Sequence, residues 1–490
     1  MFITKQVVIN NNDCTETEKY WEEHSMRYKG LRLALAATII GFILIIGINA
    51  SLVGNVVIQN IGKIGIIITA DSGLAADIQS AVNMVYSRGG GTVVIPAGNW
   101  TWNNETVTIP AGVNVIGTGL AGCKGHEDNW ENYTAQTILH NVCPPPTKVM
   151  FRINTFNPPP GTPHTATRIS GIQFEATPPT GNDNVEGTAI QISQVHDFRV
   201  DHCTFVNFPN MAIGVNANDG GTGVQTCYGV IDHCFITAPY KTTSGSWAWA
   251  YGIIVTGSGP NIPYTAPGWT YDVSYFFGKY VPPPGYSIVY VEDCHFRYLR
   301  HDTAVNQMGF VCSRFNLHEY SACTYWIAAS DVHGNVAGGW GTGGRGQEVY
   351  NDTYYAPTEE MLSQYTWWAG LTTGVYFRGG AGLVYNNTYY GNGRNGTGNR
   401  SPAFVVLSNG DDASSNPYMA YWANGMDCNQ IYIWDNTYYH IPFIKFDYMD
   451  INYNFTENVN YFLRAPNMEQ DGFTYVPYPY PHPLTLQVTP

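Results

Sequence analysis

The chain has 490 residues, 44% of them apolar and only 12% charged, with a net charge of −14. It can bury a large core, yet its charged share is about half the usual one. The acidic balance and the lack of any basic run exclude a nucleic-acid-binding role. Abundant Tyr (35), Gly (52) and Trp (13) suit a β-rich, extracellular, sugar-facing protein rather than an ordinary cytosolic enzyme.

In chain order, the first feature is apolar. Residues 33–58 carry no charge, and at about 1.5 Å per residue they are long enough to span a bilayer. Arg27, Lys29 and Arg32 lie at its leading edge. By the positive-inside rule, 1–30 is a cytoplasmic tail, 31–58 a transmembrane anchor and 59–490 an extracellular domain. Two other readings are a secretory signal cut after Ala50 and a pilin-like leader cut after Gly30. Asn-x-Ser/Thr acceptors at Asn99, Asn104, Asn132, Asn351, Asn386, Asn395, Asn399 and Asn454 fit an exported glycoprotein. Cys14 falls on the cytoplasmic side. Cys123 and Cys143 flank one loop and are the expected disulfide. No cysteine or histidine cluster has zinc spacing in the sequence.

Residues 55–70 read as a short strand region. Residues 77–86 then place Ile78, Ala81, Val82 and Val85 on one helical face. Arg88-Gly89-Gly90-Gly91 ends that helix, with glycine supplying the left-handed cap. Two short-strand segments follow, TVVIPAG (92–98) and TVTIPAGVNVIGTG (106–119). This order of helix, GGGTV, IPAG and GxG resembles the N-terminal cap of the pectate-lyase-like superfamily. The resemblance implies a right-handed parallel β-helix, a solenoid whose open end is plugged by an amphipathic helix. An uncapped solenoid end would expose core and strand edges.

Six segments then share one register: VDHCTF (200–205), IDHCFI (231–236), VEDCHF (291–296), VYNDTY (349–354), VYNNTY (384–389) and IWDNTY (433–438). Their fourth positions are Cys203, Cys234, Cys294, Asp352, Asn387 and Asn436. Their sixth are Phe205, Ile236, Phe296, Tyr354, Tyr389 and Tyr438. In a parallel β-helix equivalent residues stack about 4.8 Å apart. The fourth position then forms an Asn ladder continued by inert core thiols, and the sixth an aromatic stack. The spacings run from 31 to 60 residues, so some coils lack the pattern or carry insertions. The longest insertions fall near 238–286 and 355–371, and loops this long are usually functional. Their indoles, Trp247, Trp249, Trp269, Trp367 and Trp368, are candidates for stacking on sugar rings. The Pro-rich tail 472–484 is expected to pack along the solenoid or to cap it.

The series Asp331-Val-His333-Gly-Asn, Arg345-Gly-Gln-Glu348 and Phe377-Arg378-Gly-Gly is similar to exported, pectate-lyase-like β-helix proteins. The resemblance spans about 70–485 and implies polysaccharide as partner. A β-helix lyase needs a base for the proton α to a uronate carboxylate and a cation for the enolate. His333, Arg345 and Arg378 are the candidates, with Asp331 and Glu348 orienting them or holding Ca²⁺. The competing reading is structural ion pairs. Gly410-Asp411-Asp412 and His333-Gly334 stand in the wrong order for a polygalacturonase, and its Arg-x-Lys is missing. His202 and His233 are expected to share a face. The sequence thus points to a membrane-anchored β-helix that binds polysaccharide, either as a lyase or glycosidase or as a non-catalytic adhesin or envelope component. Its assembly state is left open.

Overall fold

The computed structural model describes residues 65–142, 148–154, 167–177, 187–217, 226–238, 250–257, 275–321, 327–333, 344–356, 372–391, 403–407, 428, 430–440, 444–446 and 455–486. All belong to one compact unit, Gly65–Pro490. They include no helix long and apolar enough to cross a membrane, and residues 31–58 lie outside them.

The architecture is a right-handed parallel β-helix. Among the described residues, three parallel sheets of twelve, ten and ten strands run coil to coil. We call them sheets A, B and C. One coil shows the plan: Cys227–Asp232 in sheet A, Phe235–Thr237 in sheet B, Tyr251–Thr256 in sheet C, then Ser287–Glu292 back in sheet A. The 238–286 insertion is therefore not one loop. It contains a strand of sheet C, and 275–286 supplies rings that pack on the outside of sheet A.

The capping helix runs Ala75–Ser87 and buries Ala75, Ile78, Ala81, Val82 and Val85 against the first coil. Gly89 and Gly90, both at positive φ, close its end, and their N–H groups donate to the carbonyls of Tyr86 and Val85. The plug face is the one that the apolar spacing predicts.

The repeat has a backbone cause. Its third position bends the chain from sheet A into sheet B with left-handed geometry. His202, His233, Asp293, Phe315, Asn351, Asn386 and Asp435 all have φ between 49° and 59°. Asn, Asp and His tolerate that region best, which is why the position is polar. Gly171 takes the same place one coil before His202, and there a Cβ would come within 2.5 Å of the Gly119 carbonyl oxygen. Phe315 is the exception to polarity, and its ring is stacked on Tyr480 at 3.9 Å.

The fourth position faces inward and ties coil to coil. The Asn387 side chain accepts from the Asp352 N–H at 2.9 Å, and the Asn436 side chain accepts from the Asn387 N–H at 3.0 Å. The Asn387 and Asn436 amides donate back to the carbonyls of Val349 and Val384, each at 2.9 Å. Cys203, Cys234 and Cys294 continue the column as free, buried thiols. Burial pushes their pKa values up, so they are inert at neutral pH. Cys123 is also a free, buried thiol, with its Sγ 3.2 Å from the Asp293 carbonyl oxygen. The expected disulfide is therefore corrected: Cys123 is spent on covering the Cys234–Cys294 turns, while Cys143 lies outside the described residues.

The register also reveals a coil outside the six-segment pattern. Leu317 pairs with His295 on one side and Thr353 on the other, so Asn316 and His318 hold the fourth and sixth positions. His318 replaces an aromatic ring in the stack, lying 5.2 Å from Phe296 and 4.2 Å from Tyr354 with planes nearly parallel. Its nitrogens meet Asp302 at 2.7 Å and Asp352 at 3.3 Å.

Candidate functional site

The candidate residues divide between two sheets. Asp331 lies in Ile327–Val332 of sheet C, beside the next coil's Thr372–Phe377. Its neighbours Ser330 and Val332 join the inward rows, so Asp331 points outward. Arg378 directly follows the neighbouring strand and turns back, so that both its Nε and Nη2 bond the Asp331 carboxylate. His333 Nε2 lies 2.8 Å from Asp331 Oδ2, and His301 Nε2 lies 3.4 Å from the same oxygen. Burial alone would raise the Asp331 carboxyl. The Arg378 guanidinium, followed by His333, outweighs that and holds it well below the usual range. Three of the five proposed catalytic residues thus meet at one point, joined by His301. His301 belongs to none of the sequence motifs. Only register brings it beside Asp331, because its strand, His301–Asn306, is the neighbour of Ile327–Val332.

Arg345 and Glu348 stand elsewhere. Glu348 lies in Gly346–Tyr350 of sheet A, in line with Cys312 and Leu383. It is fully buried under the C-terminal segment, where the Tyr475 hydroxyl and the Gly278 N–H both donate to it at 2.6 Å. Burial, only partly offset by those donors, pushes its pKa up to about 7. Arg345 places its guanidinium over the Phe276 ring at 5.3 Å. Both side chains thus face the covering of sheet A, Glu348 through Tyr475 and Gly278 and Arg345 through Phe276.

Beside 275–286, that covering includes the Pro-rich tail, lying along the outer face of sheet A as one of the two sequence expectations has it. Buried Arg314 donates to the carbonyls of Tyr478 and Pro479 at 2.7 and 2.8 Å, and to Glu292 at 2.8 Å. The His482 N–H donates to Glu292, and the Thr485 carbonyl accepts from Arg199. Sheet A therefore offers little open surface along these coils.

His202 and His233 do share a face, stacked at 4.8 Å, each bonded through Nδ1 to the preceding aspartate. Arg168 and Arg199 pair with those aspartates, Asp201 and Asp232, so the DHC repeats form a closed ion-pair ladder. Trp247, Trp249, Trp269, Trp367, Trp368, Asp411 and Asp412 lie outside the described residues.

Sheet B presents a different surface. Tyr355, Tyr390 and Tyr439 are in register on successive coils and are 39%, 38% and 43% exposed. Their rings stack at 4.7 and 5.0 Å with planes 8° and 10° apart. Because they face each other, their edges and hydroxyls turn to solvent. Thr353, Thr388 and Thr437 form the adjacent outward row, in the same register. The signal is present in the sequence as three TYY triplets, one position beyond the six-residue repeat.

No family model matches the sequence, and no curated protein matches it. Solved structures do. The tailspike protein of E. coli bacteriophage HK620, in complex with a pentasaccharide, is 14% identical with a TM-score of 0.43; the match covers 74% of this chain and 53% of the tailspike. An alginate lyase from Paenibacillus sp. is 11% identical with a TM-score of 0.40, over 78% of this chain and 98% of the lyase. The likeness is one of fold. This chain spans about half the length of the tailspike it matches.

Proposed function

We propose that this chain is a polysaccharide-binding β-helix, held at a cell surface by a membrane anchor at residues 31–58. The observation that carries the reading is the tyrosine column on sheet B. Three half-exposed phenols and a parallel row of threonines repeat at one strand spacing, about 4.8 Å, on a rigid face. A surface that repeats along one axis suits a ligand that does the same. Phenol edges supply apolar area beside a hydroxyl, the mixture that a sugar's alternating C–H and O–H groups require. The column is uncharged, which fits a neutral or weakly charged stretch of glycan. The tailspike's bound pentasaccharide and the lyase's alginate are properties of those proteins, and they set the choice of polysaccharides to try.

A catalytic extension rests on the sheet C cluster. His333 as base and Arg378 as charge stabiliser would serve a uronate lyase, with Asp331 orienting both. Arg345 and Glu348 drop out of that machinery because they stand at sheet A, Glu348 under Tyr475 of the tail and Arg345 over the Phe276 ring. The adhesin or envelope reading needs no such cluster.

One experiment separates these readings. The full chain in mild detergent is incubated with uronic-acid and neutral polysaccharides, with and without Ca²⁺. Retention on immobilised glycan, absorbance of unsaturated product and new reducing ends are followed together. Retention alone supports the binding module, and retention with absorbance that disappears in His333→Ala supports the lyase. No retention on any glycan sinks the proposal.

A further inference from the structure

A second feature of the sheet C cluster stands apart from the polysaccharide reading. His301 is 1% exposed, and its Nδ1 lies 2.9 Å from the Ala328 carbonyl oxygen. A carbonyl only accepts, so Nδ1 carries the proton. In the neutral ring Nε2 then holds a lone pair. Its Nε2 has no hydrogen-bond partner and faces Asp331 Oδ2 at 3.4 Å. Two buried acceptors facing each other are unfavourable unless something positive lies between them.

We propose that His301, Asp331 and His333 bind one divalent transition-metal ion, with zinc as the best match. The nitrogen and oxygen atoms they offer lie within 4.8 Å of one another. Two imidazoles and one carboxylate suit zinc and its neighbours better than Ca²⁺, which takes oxygen ligands. Three protein ligands leave a fourth position for water or substrate. The Nδ1–H bond to Ala328 is the outer contact that fixes a ligating histidine's tautomer. Arg378 bonds both oxygens of Asp331, so it supplies the positive charge there without an ion. Metal and guanidinium then compete for one carboxylate. The other histidine–aspartate group, Asp201, His202 and Asp232, offers no comparable vacancy, since His202 Nδ1 is bonded to Asp201 and its ring has no buried nitrogen without a partner.

The test uses the full chain in mild detergent, stripped with chelator and titrated with cobalt(II) as a visible stand-in for zinc. Bound zinc is counted separately after dialysis. The expected result is one ion per chain and a cobalt absorption band of four-coordinate intensity. Both are lost in His301→Ala. Arg378→Gln, which removes the competitor, tightens binding severalfold. Should His301→Ala lose its β-sheet circular dichroism, His333→Asn at the edge of the cluster carries the same test. A folded wild type that retains no ion overturns the proposal. So does binding that persists unchanged in His301→Ala and His333→Asn, because the ion would then sit elsewhere.

Discussion

At the residue scale, single polar side chains decide how coils stay in register. Asn387 satisfies one N–H, one carbonyl and a neighbouring amide, all inside the core. Asn387→Ala leaves the Asp352 N–H and the Val349 carbonyl buried without partners. The expected loss is about 2–3 kcal/mol, read from the denaturation midpoint. His318 is the sharper case. Burial alone would hold its ring neutral, but the bonds to Asp302 and Asp352 outweigh that and raise its pKa to about 9. Its stabilising contribution is complete below the ordinary value of 6.5 and fades as pH rises through about 9. His318→Phe restores an aromatic ring to the stack yet strands two carboxylates, so it should destabilise by about 3–5 kcal/mol. It should also erase that alkaline fall in melting temperature. An equally steep fall in the variant would contradict this account. The Asn ladder and the core thiols are legible in the sequence because both sit in the repeat register. His318 is not, because the repeat's sixth residue is aromatic or apolar and an imidazole that stacks like one breaks the pattern.

At the element scale, the tail and the capping helix were unequally legible. The helix is fixed by apolar spacing and a glycine stop, both local signals. The tail's docking depends on Arg314, Glu292 and Glu348, which are far away in sequence and adjacent only through coil register. The same reason separates the proposed site residues. Asp331, His333 and Arg378 converge because they end neighbouring strands of sheet C, whereas Arg345 and Glu348 fall past the bend into sheet A. Glu348 gives the tail a pH response. Its folded pKa of about 7 stands above the ordinary 4.5, so protonation favours the folded form. The contribution is full below about 4.5 and is lost as pH rises through about 7. Melting temperature should therefore drop across that window, and Glu348→Gln should flatten the drop while keeping an amide to meet Tyr475. A variant with the wild-type slope would show that another group controls it.

For the whole molecule, the fold is a stack in which each coil buries its faces only against its neighbours. That explains why a helix must plug one end and why deleting residues 65–90 should make the protein aggregate, as read by light scattering. It also leaves the outer faces as the places where a ligand could dock. Sheet A carries the tail along the coils from Arg199 to Glu348, sheet C carries the Asp331 cluster, and sheet B carries the tyrosine column. The solenoid and its direction are legible from the repeat. The column escapes notice because outward residues answer to no packing rule. The most direct test of the central claim is retention on the polysaccharide that holds wild type best, compared with a Tyr355→Ser, Tyr390→Ser, Tyr439→Ser variant whose circular dichroism is unchanged. Retention that falls at least tenfold in the variant is the predicted result. Equal retention of the two proteins would remove sheet B as the binding face and contradict the account.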